Sequence, residues 1–185
     1  DITVTPHFMT YATACIEKYQ NDMRIAGISL YNYNVHHKSL RPFTPAKSEY
    51  DVYFMNIAMS WGQIWMKEQW RDFYNWYLKN NEEFNLPHIP DNVNKWKATS
   101  WLKYHIRYCI EKNKYFVYPY YSLTTNNSDA GIHMKTKETI YQSSLQLFHK
   151  KEYQLPPIDE CPVLYDGFME AKYLGKYLGV AEEEL

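Results

Sequence analysis

Cysteine is scarce, with only Cys15, Cys109 and Cys161 among 185 residues. The number is odd, the spacing wide and no CxxC pair occurs, which excludes a disulfide framework and a Cys/His zinc module. The three read as reduced thiols, in the core or at the surface, of a protein from a reducing compartment. No apolar run approaches the roughly 18 residues of a membrane helix, and the first residues carry no signal-peptide pattern. Neither sign of charge dominates: the formal net charge is −1. No Lys/Arg run is long enough for a polybasic arm, so nothing points to nucleic acid. Also missing are a Gly-rich phosphate loop, GxSxG and HExxH. Any chemistry must therefore come from scattered groups.

What is present is a chain long enough for one domain with a real core and short for two. Hydrophobic residues are 45% and charged residues 22%, an ordinary balance for a folded protein. Aromatic residues are unusual at 18%, with 19 Tyr and 6 Trp against 8 Phe. The excess lies in the rings that combine an apolar face with a polar tip. Such rings suit sugars, whose C–H faces stack while their hydroxyls take hydrogen bonds. An extended core or a compositional bias explains the same figure equally well.

Hydrophobic periodicity predicts alternating elements. Residues 1–5 alternate polar and apolar as a short strand, and Pro6 suits the first turn of a helix running to about Asn21. Ile25 to Tyr31 reads as a buried strand, and Asn32 to Tyr50 as a long polar loop of the kind that is usually functional or mobile. A short strand is expected at 51–55, a turn at Ser60-Trp61-Gly62, and a helix from about Ile64 to Lys79. A second long helix is expected from Asn92 to Lys112, then a strand at 115–118 ended by Pro119. Residues 124–133 are turn chemistry. The stretch from Pro156 onward reads as irregular, with a frayed acidic tail. Strands alternating with helices give an α/β class, or α+β if the partial sheet is counted alone. The domain is expected over 1–155, followed by an extension over 156–185.

Several polar groups have competing readings. His36-His37 could bind a metal, but adjacent histidines on a loop are more often solvated. Glu82-Glu83 fits a solvated helix end better than acid–base work. Trp65, Trp70, Trp76, Trp96 and Trp101 would, by spacing alone, be core.

Five segments, in order, resemble the nucleotide-sugar glycosyltransferases of family A fold, in particular N-acetylglucosaminyltransferase I-like enzymes and bacterial relatives. Asp1-Ile2-Thr3-Val4-Thr5-Pro6-His7-Phe8 looks like the segment starting at the last Asp of that family's Glu-Asp-Asp metal motif. Ile25 to Tyr31, running into Asn32-Tyr33-Asn34, is similar to its next strand. Ser60-Trp61-Gly62-Gln63-Ile64-Trp65 resembles the bacterial Ser-Trp-Gly-x-x-x-Trp segment. Ser100-Trp101 matches a Ser-Trp whose helix leads to a Tyr-Pro strand end, here Tyr118-Pro119. Asn127-Ser128-Asp129-Ala130-Gly131-Ile132-His133 looks like a shortened Gly-rich loop ending in the His that covers the donor diphosphate.

The resemblance spans about residues 1 to 150 and implies the acceptor-side, C-terminal half of that fold, with helices on a short mixed sheet. It implies transfer of a sugar from a nucleotide-diphosphate donor to a glycan acceptor, assisted by Mn²⁺ or Mg²⁺. The implied assignments are Asp1 for the metal, Asp129 and His133 for the donor-covering loop, and Trp61, Gly62, Trp65 and Trp101 for sugar contact or its support. Two departures stand out. The resemblance starts at the metal-binding Asp, so the nucleotide-binding half is expected to be missing. The family's catalytic Asp follows the Ser-Trp by one or two positions, where this chain has Leu102 and Lys103. Lys103 is then expected to clamp an anionic part of the acceptor, and Glu68 and Asp72 are the substitute catalytic carboxylates. The alternative is a non-catalytic carbohydrate-binding or scaffold domain derived from such an enzyme. A half-fold should also leave apolar faces that self-associate. The expected location is the bacterial cytoplasm, with peripheral contact at the inner membrane left open.

Overall fold

A computed structural model describes residues 2–127 and 139–172. Asp1, Asp129 and His133 lie outside the described residues. In chain order the elements are β1 (Ile2–Val4), α1 (Phe8–Tyr19), β2 (Ile25–Ser29), β3 (Val52–Met55), β4 (Gln63–Ile64), α2 (Lys67–Tyr77), α3 (Asp91–Asn94), α4 (Trp101–Glu111), β5 (Tyr115–Pro119), β6 (Thr124–Asn126), β7 (Leu164–Tyr165) and β8 (Ala171–Lys172). The class is mixed helix and sheet, as the alternation implies.

The main sheet has the order β4-β2-β5-β3-β7-β8. β2 runs parallel to β5, and β3 runs antiparallel to β5 and parallel to β7. Every residue of β2, β3 and β5 is buried, which requires cover on both faces. Strand alternation supplies it. Phe54 pairs with Val117 and Met55 with Phe116, so Phe54 and Phe116 point to opposite faces. Tyr19 of α1 meets Phe54 edge-on at 5.8 Å, while His105 of α4 meets Phe116 at 5.3 Å. One helix thus covers one face, and the α2–α4 pair covers the other. Gly27 is needed between them, because a Cβ there would lie 2.6 Å from the Phe116 ring.

Four expectations are corrected. Gln63–Ile64 is not the start of a helix, because its backbone pairs with Ser29 and Ile28 of β2; α2 begins at Lys67. The long helix of 92–112 is two helices, and the carbonyls of Asn94 and Trp96 that its middle would have bonded instead accept from Lys103 Nζ at 2.7 and 3.0 Å. Residues 157–172 contain little regular structure, yet they supply β7 and β8 to the main sheet and bury Ile158, Val163, Leu164 and Met169. They belong to the core rather than to an appendage. Thr124–Asn126 are strand β6 rather than turn, because the expected first strand forms and pairs with them antiparallel to make a second, two-stranded sheet.

Candidate functional site

At the carboxyl end of β2 the chain leaves the sheet through Tyr31 and Tyr33, both buried. Open α/β sheets place their crevices at such strand ends. The turn before β4 comes back to the same spot: Leu30 N–H donates to Gly62 carbonyl at 2.8 Å, and Thr124 Oγ1 donates to Trp61 carbonyl at 2.6 Å. Gly62 makes this turn with φ of +79°, and a Cβ there would sit 2.6 Å from Thr124 Cγ2. The Trp61 ring is thereby set perpendicular to Tyr31, 5.2 Å between centroids.

These rings form one wall of a cleft of about 290 Å³, which Tyr33, His37, Trp96, Leu102 and Tyr141 also line. The aromatic members brace one another. Tyr31 contacts Tyr33 at 5.3 Å, Tyr33 contacts His37 at 4.6 Å and His37 contacts Tyr141 at 5.7 Å, all edge to face. The Tyr31 hydroxyl donates to the Tyr141 carbonyl at 2.6 Å. Such a lattice holds its shape before any ligand arrives, which lowers the ordering cost of binding.

Among the described residues, no Asp, Glu, Lys or Arg lines the cleft. Burial, with His36 nearby, pushes the His37 imidazole down to about 4, so at neutral pH it is uncharged and both donates and accepts. Ser60 and Asn92 add a hydroxyl and a carboxamide to the polar tips of the lining rings. The described lining offers a diphosphate no counter-charge, whereas an uncharged polyol would find ring faces and a few hydrogen-bonding groups.

The structure separates the residues that the sequence grouped. Trp61 lines the cleft, and Gly62 acts through its backbone. Leu102, at the position of the expected carboxylate, also lines it. Trp65 and Trp101 do not; both are partly exposed and meet edge-on at 5.3 Å on the outside of α2 and α4, where Trp65 also stacks on Trp70 at 4.1 Å. Lys103 is corrected outright. It is fully buried, its amine turned onto the α3 carbonyls and 4.5 Å from the Phe84 ring centroid, so it can clamp no acceptor. Glu68 pairs with Arg71 on the α2 surface. Asp72 accepts from Tyr108 Oη at 2.6 Å and from Lys114 Nζ at 2.8 Å. Partial burial raises its pKa, but the Lys114 and Tyr108 hydrogen bonds outweigh it and hold the carboxyl below the usual range. That is the opposite of what a base near neutrality needs. Neither carboxylate lines the cleft.

Tyr31, Tyr33, His37, Asn92, Trp96 and Tyr141 are functional candidates that residue reasoning did not assign. The signal for Tyr31 and Tyr33 was their position just past a buried strand. For Trp96 and Tyr141, which come from distant segments, no such signal exists. Among the described residues no three His, Cys, Asp or Glu side chains gather where they could hold a metal ion, and the expected ligand Asp1 is outside that set. Among the described residues no helix is long and apolar enough to cross a membrane. All three cysteines are buried free thiols. No protein-family model matches the chain, and no curated protein matches it.

Proposed function

We propose that this chain is part of a glycosyltransferase that moves a sugar from a nucleotide-diphosphate donor to a glycan, and that the aromatic cleft receives the acceptor. The observation that carries the reading is the meeting of Trp61 and Leu102 in one ring-lined cleft. These residues belong to, or directly follow, the two Ser-Trp segments on which the resemblance rests. Neutral aromatic walls hold an uncharged sugar and exclude the water that would hydrolyse the donor. The reading carries with it a hard divalent cation, Mn²⁺ or Mg²⁺, with Asp1 as one ligand and the Asp129–His133 loop over the donor. It also carries a cytoplasmic location in a bacterial cell.

Leu102 favours a second reading, a carbohydrate-binding domain that has lost the chemistry, because an alkyl side chain cannot take the acceptor proton. Tryptophan fluorescence during titration with a glycan panel tests the shared part of both readings. A saturable change is expected, with Trp61→Ala weakening binding at least tenfold; a flat response to every glycan would remove both readings. Transfer of labelled sugar by the full-length parent, with Mn²⁺ supplied, separates them: turnover supports the transferase, and binding without turnover supports the second reading.

A further inference from the structure

His37 and Asn92 line the aromatic cleft and also a second cavity of about 490 Å³. The second cavity is lined by the long 32–50 stretch, by α3 with the residues around it and by the turn at 166–169, with Ile57 and Ile106 of α4 contributing from the core. That turn is held in place from within. Asp166 Oδ1 accepts the N–H groups of Phe168 at 2.8 Å and Glu170 at 2.9 Å, and Met169 Sδ accepts the His37 N–H at 3.4 Å. Phe168 lines this cavity together with Asp91, Lys95 and Lys38.

We infer that the two cavities are one groove for at least two consecutive sugar residues, with His37 and Asn92 binding the ligand where the cavities adjoin. The inference rests on the acceptor-cleft reading and gives its substrate class: an oligosaccharide rather than a monosaccharide. Among the described residues, neither the His37 ring nor the Asn92 carboxamide makes a hydrogen bond to another residue. Both side chains are partly buried and the imidazole is uncharged at neutral pH, so their polar atoms are open to a ligand in the cavities that they line. A ligand that crosses the junction would supply partners to both: a neutral imidazole and a carboxamide each offer a donor and an acceptor, matching sugar hydroxyls and ring oxygens. The two compartments then divide the work. Trp61 and Tyr31 present rings to one sugar, while Phe168 presents a ring to the next, beside Asp91 and Lys95 for its hydroxyls. Both volumes fall at or near the range of small-molecule sites, about 300–1,000 Å³.

The experiment is an NMR titration of the full chain with matched mono-, di- and trisaccharides of glucose, galactose and N-acetylglucosamine, with thermal melts to confirm that each variant folds. At least one series should show the di- or trisaccharide binding tenfold or more tighter than its monosaccharide, with amide shifts around Lys95 and Phe168 only for the longer ligands. In Asn92→Ala and Phe168→Ala the ratio of trisaccharide to monosaccharide affinity should fall toward one. Equal affinity across all three lengths, or variants that keep the wild-type ratio, would overturn the two-sugar groove and leave the acceptor cleft standing. No shift with any sugar overturns both.

Discussion

Lys103 shows how one side chain can be legible in the sequence and still misplaced. Its neighbourhood in the chain suggests a charge facing an acceptor, yet its donors close the end of α3 by bonding two carbonyls. Lys103→Met keeps the stem and removes both bonds. It should cost about 2–4 kcal/mol in urea unfolding, since buried acceptors lose a charged donor, and leave glycan binding intact. A cost under about 0.5 kcal/mol would return Lys103 to the surface. His105 is the opposite case, buried among Phe73, Tyr108, Phe116 and the edge of Trp65, with both ring nitrogens lacking a hydrogen-bond partner among the described residues. Burial pushes its imidazole down to about 3, against about 6.5 in an unfolded chain. Between those values the unfolded state binds more protons, so stability is complete above about pH 6.5 and is lost as pH falls toward 3. His37, pushed down to about 4, acts in the same direction. His105→Phe should therefore be more stable than wild type at pH 7, and its advantage should grow by about 2 kcal/mol at pH 5. Calorimetric melts at the two pH values decide this, and an unchanged pH dependence would mean that the imidazole is already relieved by water.

At the scale of elements, the turn that joins β3 to β4 positions the cleft's Trp61. Gly62 combines a left-handed backbone with contact against Thr124, and that contact fixes where Trp61 sits. Gly62→Ala should destabilise by roughly 1–3 kcal/mol and also weaken glycan binding, read by unfolding and by fluorescence on the same sample. Weakened stability with wild-type binding would mean that the turn does not set the ring. Local pattern recovers α1, β2, β3 and β5 to within a few residues, because each is a run of buried residues at one period. It misses β6, which forms by pairing with β1, and it fails at β4 and in the 92–112 stretch. In both places a distant partner takes the backbone groups that a helix would have used: the edge of β2 for Gln63 and Ile64, and the Lys103 amine for Asn94 and Trp96.

For the whole molecule, the apolar surface is the testable consequence. Leu147 is 78% exposed, and Phe148 and Tyr121 are each more than half exposed, their rings 5.5 Å apart. Exposed apolar groups of this kind favour association. The chain should self-associate between micromolar and millimolar concentration in analytical ultracentrifugation, and Phe148→Asp should shift it toward monomer. A wild-type monomer over that whole range would refute the expectation. By itself the sequence determined the helix-and-sheet class, the main buried strands, the free thiols and the wealth of amphipathic rings, since each follows from residue type and short-range period. Tertiary structure alone decided that Trp61 and Leu102 share a cleft while Trp65, Trp101 and Lys103 do not. It also decided that residues 157–172 complete both the sheet and the wall of a cavity. Those outcomes depend on contacts between segments tens of residues apart, and the hydrophobic effect that drives such contacts has no direction, so no local pattern records which ring will face which.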